Sequence, residues 1–218
     1  MPVNLPVIDT MNIVLETVGT IAFAFSGAML GIRGNMDLMG TLVLGLTTAL
    51  GGGATRDIFL GYNPPSMFRD TGYVKQAVVA SLIVFIICYL RQEIISSRAM
   101  ARFERAMVFF DALGLGAFTV TGMNQAIALG FREHWFLVVF CGLLTAVGGG
   151  VIRDIFADRT PTIFQEQIYA SAALIGAVVY MQFFGVLPQN VLMLITAMIV
   201  VVVRMVSVYK DVGLPKIK

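Results

Sequence analysis

Between residues 9 and 208 the chain is a succession of apolar stretches, each near the twenty or so helical residues that cross a bilayer core of about 30 Å. Seven such spans fall near 9–31, 38–60, 73–91, 104–129, 136–157, 165–184 and 190–208. The fold class expected is therefore an all-α integral membrane protein with seven transmembrane helices, a single membrane domain over residues 1–218. Composition agrees: 58% of residues are hydrophobic and 13% charged, against about 25% charged in soluble domains. The longest connection, around Arg91 to Glu104, leaves no room for a soluble catalytic domain. A net charge of +2, scattered along the chain, makes no nucleic-acid footprint. Cys88 and Cys141 lie in apolar stretches without metal-ligand neighbours, which argues against a disulfide or a zinc site. No basic segment precedes the first span, and Glu16 and Gly19 interrupt it, so it reads as an anchor helix rather than a cleaved signal.

Seven spans place the termini on opposite sides, and the lysines and arginines of short loops decide which is which. Ten of them (Arg33, Arg91, Arg98, Arg102, Arg105, Arg159, Arg204, Lys210, Lys216 and Lys218) fall on the side of the C-terminus, and three (Arg69, Lys75 and Arg132) on the other. The bias predicts an outside N-terminus and a cytoplasmic C-terminus. Arg204, near the end of the last span, is expected to snorkel to the headgroups, and His134 beside Trp135 reads as an interfacial anchor rather than a metal ligand.

The two halves repeat each other. Gly51-Gly52-Gly53-Ala54-Thr55-Arg56-Asp57-Ile58-Phe59 in the second span returns as Gly148-Gly149-Gly150-Val151-Ile152-Arg153-Asp154-Ile155-Phe156 in the fifth, a GGGxxRDxF motif written twice. Upstream, Glu16, Gly19, Phe23, Ser26 and Gly27 have counterparts in Asp111, Gly114, Phe118, Thr121 and Gly122; downstream, Pro65, Phe68 and Tyr73 match Pro161, Phe164 and Tyr169. Each copy covers three helices, 9–91 and 104–184. Because three is odd, the second copy enters from the opposite face, giving an inverted-topology pair of the kind found in transport proteins. The seventh span, 190–208, has no counterpart and no glycine and is apolar on every face, so it is expected at the periphery, partly facing lipid.

Three consecutive glycines inside a span need a reason, since each costs about 1 kcal/mol of helix propensity relative to alanine. Close packing is one. The other, favoured here, is a loosened or kinked helix lining a path, in which carbonyls of Gly51, Gly52, Gly148 and Gly149 hold a monovalent cation. Gly53 and Gly150 complete the two kink regions. The charges that follow, Arg56 with Asp57 and Arg153 with Asp154, are costly at this depth and face a cavity or a partner. Glu16 lies at the depth of Arg56 and Asp111 at that of Arg153, so Glu16–Arg56 and Asp111–Arg153 are expected as ion pairs that lock each first helix to its second and flank or gate a path. Thr47, Thr48, Ser26, Thr121, Asn124 and Gln125 read mainly as helix-bonding residues. GGGxxRD lacks the lysine and hydroxyl residue of a phosphate loop, and no nucleophile stands beside a base, so no enzyme is expected.

With its doubled GGGxxRDxF at corresponding positions, the chain resembles the prokaryotic branch of the trimeric intracellular cation (TRIC) channel family over nearly its whole length. The resemblance implies a homotrimer with a separate pore in each protomer, conducting potassium and sodium and needing no cofactor, with the glycine motifs kinked around the pore. It implies a multi-pass protein of the prokaryotic inner membrane, in contact with lipids. Related bacterial sequences are also called glycine transporters, and an inverted repeat suits a carrier for a small amino acid as well as a static pore. A purely structural membrane protein would leave the duplicated Arg-Asp pairs without a purpose. Gly19, Gly27, Gly31, Gly114, Gly116 and Gly122, on the first and fourth spans, are the expected small-residue surfaces of the oligomer.

Overall fold

The computed structural model describes residues 6–91, 100–165 and 168–211, with side chains from residue 10. Arg98, Lys216 and Lys218 of the orientation count lie outside them. The first half holds α1 (Pro6–Arg33), α2 (Leu38–Phe59), α3 (Ser66–Arg69) and α4 (Gly72–Leu90). The second holds α5 (Met100–Ala126), α6 (Trp135–Phe156), α7 (Thr162–Gln165) and α8 (Ala170–Phe183), and α9 (Gln189–Tyr209) follows. Six helices among the described residues are long and apolar enough to cross a membrane. The sixth expected span is shorter than 165–184: α8 has 14 residues, roughly 21 Å at 1.5 Å each, and starts only at Ala170, after the separate short helix α7. α5 is longer than expected and ends in a π-helical turn, Ile127–Phe131, in which Gly130 takes φ +92°, a conformation cheap only for glycine.

Short side chains set how the helices meet. On α1 and α5, Phe23 lies where a Cβ on Gly114 would be, 2.0 Å from its ring, and Phe118 lies 2.8 Å from the same point on Gly19. Since 23 pairs with 114 and 19 with 118, the two helices run antiparallel and each repeat inserts its phenylalanine into the other's glycine notch. The rings meet edge to face at 5.2 Å. Gly27 abuts Thr48, Leu44 and Gly45 of α2, and Gly122 abuts Thr145 and Cys141 of α6 in the same way.

These contacts correct one expectation. Gly19, Gly27, Gly31, Gly114, Gly116 and Gly122 are all used within the protomer, where added methyl groups would meet neighbours at 2.0–3.1 Å, so they are not surfaces left for an oligomer. Gly116 in particular receives Ala197 and Val201 of α9. α9 buries Leu192, Met193, Thr196, Val200 and Arg204 against the second half and turns Val191, Leu194, Met198 and Val202 outward. Arg204 does not snorkel: it is buried, with its guanidinium 5.0 Å from the centre of the Tyr169 ring.

Candidate functional site

The glycine triplets are where α2 and α6 cross. A Cβ on Gly52 would stand 2.2 Å from the carbonyl oxygen of Thr145, and one on Gly149 would stand 2.0 Å from that of Thr48. Gly148 faces the Gly52 backbone at 3.1 Å, and Gly51 faces Ile152 at 2.7 Å. Both helices stay α-helical through their triplets. The expected broken backbone is therefore absent, and with it the freed carbonyls at Gly51, Gly52, Gly148 and Gly149; the Gly51 carbonyl accepts a further bond from Thr55 Oγ1 at 2.8 Å. The physical reason is that the missing side chains let two backbones touch, which leaves the helical ladder intact.

The third glycine of each triplet differs between the copies. Gly150 meets the hydroxyl of Tyr169 at 2.9 Å from its would-be Cβ, whereas Gly53 has only the Arg56 guanidinium, at 3.7 Å, and borders a cavity.

Beyond the triplets the Arg-Asp pairs are built alike. Arg56 gives Nε and Nη2 to Asp57 Oδ1 at 2.9 and 2.7 Å, and Arg153 gives the same atoms to Asp154 Oδ1, both at 2.9 Å. The other carboxylate oxygen reaches forward to start a short helix: Asp57 Oδ2 accepts from the Ser66 amide at 2.7 Å, and Asp154 Oδ2 accepts from the Thr162 amide and hydroxyl, each at 2.7 Å. Two orphan backbone donors are thus satisfied by remote side chains. Sequence reasoning missed this role; its trace was the proline, Pro65 or Pro161, one residue before each capped amide.

The arginines' remaining donors part company. Arg153 Nη1 donates to Asp111 Oδ1 at 2.6 Å and to Ser26 Oγ at 2.9 Å, joining α6 to both α5 and α1. The expected Asp111–Arg153 ion pair is present and fully buried. The expected Glu16–Arg56 pair is not made. Arg56 stays with Asp57, while Glu16, half-buried, neighbours Tyr73 and Asn12. Glu16 and Arg56 both line a cavity of about 70 Å³, shared with Thr20, Gly53, Tyr73 and Thr121. That is room for several waters at roughly 10–15 Å³ each. Thr121, the repeat counterpart of Ser26, is 1% exposed, and its hydroxyl has no hydrogen-bond partner.

A second polar group lies nearer the end of α5, around Asn124, which was read mainly as a helix-bonding residue. Asn124 donates to Asn12 at 2.9 Å and accepts from Tyr180 at 2.5 Å, and Gln189 donates to the same tyrosine oxygen. Four helices, α1, α5, α8 and α9, are tied there. Gln125 takes no part in these bonds.

A family described as Glycine transporter matches the chain twice, over residues 13–89 and 108–184. The chain belongs to this family. Each match takes in three principal helices, one copy of the repeat. Family resemblance extends to a UPF0126 membrane protein of Deinococcus radiodurans, 42% identical over 165 residues that make up 75% of this chain and 72% of that one. The UPF0126 inner membrane protein YadS of Escherichia coli is 37% identical over 168 residues, 76% of this chain and 75% of that one. Among solved structures, a TRIC cation channel shares 34% identity at a TM-score of 0.79 over 94% of this chain and 96% of that one. A TRIC trimeric intracellular cation channel orthologue from Rhodobacter sphaeroides gives 28% and 0.83, covering 94% of this chain and 100% of that one. The fold of this family member is the TRIC fold: an all-α inverted repeat of three helices with a peripheral seventh.

Proposed function

We propose that the protein is a monovalent cation channel of the bacterial inner membrane. It works as a homotrimer in which each protomer carries its own path beside the α2–α6 crossing. The observation that carries this reading is the cavity around Glu16. Two carboxylates, Glu16 and Asp57, line it against one guanidinium, Arg56, so its formal charge is negative and it attracts a cation. Thr20, Thr121 and Thr145 stand on the same walls and add neutral polar groups to them. The TRIC channels that share this fold at 28–34% identity support the assignment. We assign a path through Gly53, Arg56 and the Asp111–Arg153 pair, weak discrimination between potassium and sodium, no enzymatic step, an outside N-terminus and a cytoplasmic C-terminus.

Purified protein in planar bilayers tests the reading. Unitary currents whose reversal potential follows the potassium or sodium gradient support it. One observation favours a second reading, a carrier for a small amino acid such as glycine: one Arg-Asp cluster is closed and the other is open, as alternating access requires. Uptake of labelled glycine into liposomes without unitary currents would establish the carrier and overturn the channel.

A further inference from the structure

The repeat supplies two copies of one constellation: an acid on the first helix, an arginine on the second and a hydroxyl on the first helix of the opposite half. In one copy these are Asp111, Arg153 and Ser26, all in contact. In the other they are Glu16, Arg56 and Thr121, and none of the corresponding bonds is made: Glu16 and Arg56 line one cavity without pairing, and the Thr121 hydroxyl is buried without a partner. Chain length is not the obstacle, because glutamate reaches one methylene further than the aspartate that succeeds. Glu16 and Ser26 are ten residues apart on α1, roughly 15 Å of helix, so the two constellations sit at different depths on either side of the glycine crossing.

What distinguishes them is a helix that is not repeated. α9 brings Arg204 over the ring of Tyr169, 5.0 Å from its centre, and the hydroxyl end of that ring lies against Gly150 beside Arg153. Tyr73, the counterpart of Tyr169, lies on the wall of the open cavity. Its counterpart glycine, Gly53, has no tyrosine against it.

We propose that Glu16, Arg56 and Thr121 form a second latch, the counterpart of Asp111, Arg153 and Ser26, standing open in this structure, and that Arg204, acting through Tyr169, is the positioning residue that holds the other latch shut. The inference rests on the reading of these clusters as the two ends of a conduction path. Each end then has its own gate. When Arg56 turns its free Nη1 to Glu16 and Thr121, the cavity closes and the unpartnered hydroxyl is satisfied. When the packing of α9 loosens, Tyr169 withdraws and Arg153 is freed. The outer side of α9 is apolar and exposed, which makes it the element through which a surrounding bilayer would act on one gate and not on the other.

The test uses the full chain in liposomes, with cysteine reporters on the two latches, Gly53→Cys on the cavity wall and Ser26→Cys in the shut cluster. The native Cys88 and Cys141 are buried and serve as the unreactive background. A small cationic methanethiosulfonate should label Gly53→Cys at least tenfold faster than Ser26→Cys. Adding Arg204→Met should raise the Ser26→Cys rate about tenfold and leave Gly53→Cys unchanged, and Arg204→Lys, which keeps a cation over the ring, should restore slow labelling. Should Arg204→Met fail to fold, Tyr169→Leu carries the same expectation. In single-channel records Glu16→Gln and Asp111→Asn should each remove a different class of closed dwell. Equal labelling of the two reporters, or a Ser26→Cys rate unmoved by Arg204→Met and Tyr169→Leu, overturns the latches. Unequal labelling that responds to Arg204→Met in a protein without currents overturns the channel reading and leaves the latches standing.

Discussion

Arg56 and Arg153 hold the same place in the two copies of GGGxxRDxF, yet Arg153 bonds Asp154, Asp111 and Ser26, while Arg56 bonds Asp57 alone. Duplication supplied both halves with the same chemistry at the same positions. Whether that chemistry closes depends on what packs behind it, and α9 packs mainly on the second half. At the crossing, where each half touches only the other, the halves are alike: Gly52 fits Thr145 as Gly149 fits Thr48. Symmetry survives where the repeats contact each other and fails where one of them meets an unrepeated element.

The largest expected effect breaks this comparison at its centre. Removing one partner of a buried pair leaves an uncompensated charge, at a cost of about 3–5 kcal/mol. For Asp111→Asn we expect the low end, about 3 kcal/mol, because Asp154 still faces Arg153. Glu16→Gln should lose little, since no ion pair is present to break. Thermal unfolding in mild detergent measures both. The cycle of Asp111→Asn with Arg153→Gln should show coupling, whereas Glu16→Gln with Arg56→Gln should be additive within about 0.5 kcal/mol. Equal coupling at both ends would mean that the two clusters are closed alike in the membrane.

Next comes the crossing. Gly149→Ala drives a methyl group to 2.0 Å from the Thr48 carbonyl oxygen, a backbone atom that cannot step aside. Overpacking of this kind costs about 1–3 kcal/mol. Gly53→Ala, with 3.7 Å to its nearest neighbour, should be neutral to stability while narrowing the cavity and lowering conductance. If Gly149→Ala is as stable as the native chain, the helices are not held together at the triplets.

Much of this was legible in the sequence, and the failures have physical causes. The spans, the repeat and its inversion follow from apolar length and from a motif written twice, so the fold could be read. Asp111–Arg153 could be paired from depth alone, because depth along a helix is fixed by residue number. Glu16–Arg56, with nearly the same spacing, could not be separated from it: the difference lies in Arg204 and Tyr169, and nothing in either motif says that α9 packs on the second half. The glycine triplets were read as broken helix because contiguous glycine disfavours helix. The other reading, close packing, is the one the structure shows: the partner backbone approaches Gly52 and Gly149 and compensates for the propensity lost. α3 and α7 were missed because four residues are too few for any periodicity, although Asp57 and Asp154 cap them from the motif itself.

Those caps offer a smaller and cleaner contrast. Thr162 donates both its amide and its hydroxyl to Asp154, whereas Ser66 donates to Asp57 through its amide. Thr162→Ala removes a hydrogen bond to a carboxylate, worth about 1.5 kcal/mol. Ser66→Ala keeps the amide donor and should cost less than about 0.5 kcal/mol, the range of changes that remove no named interaction. Unfolding midpoints of the two variants compare the halves without touching either arginine. A larger loss for Ser66→Ala would show that its hydroxyl serves the first half in a way its amide does not.

The smallest effect concerns the outer ends of α1 and α5, which the two repeats again treat differently. At the Ser26 end Arg33 pairs with Glu104 at 2.8 Å, with both side chains more than a third exposed. At the Glu16 end Asn12 accepts from Asn124 within the network that reaches Tyr180 and Gln189. An exposed pair contributes at most about 1 kcal/mol and fades with salt, because water and ions screen it. Glu104→Gln should therefore lower the unfolding midpoint slightly at low salt and not at all at high salt. Asn124→Ala leaves the Tyr180 hydroxyl proton without its acceptor, so its larger loss should persist at every ionic strength. If Glu104→Gln also speeds labelling of Ser26→Cys at low salt alone, the shut end is held by charge at its rim as well as by Arg153 within; if labelling is unmoved, the rim pair only decorates a gate that Arg204 and Tyr169 already close.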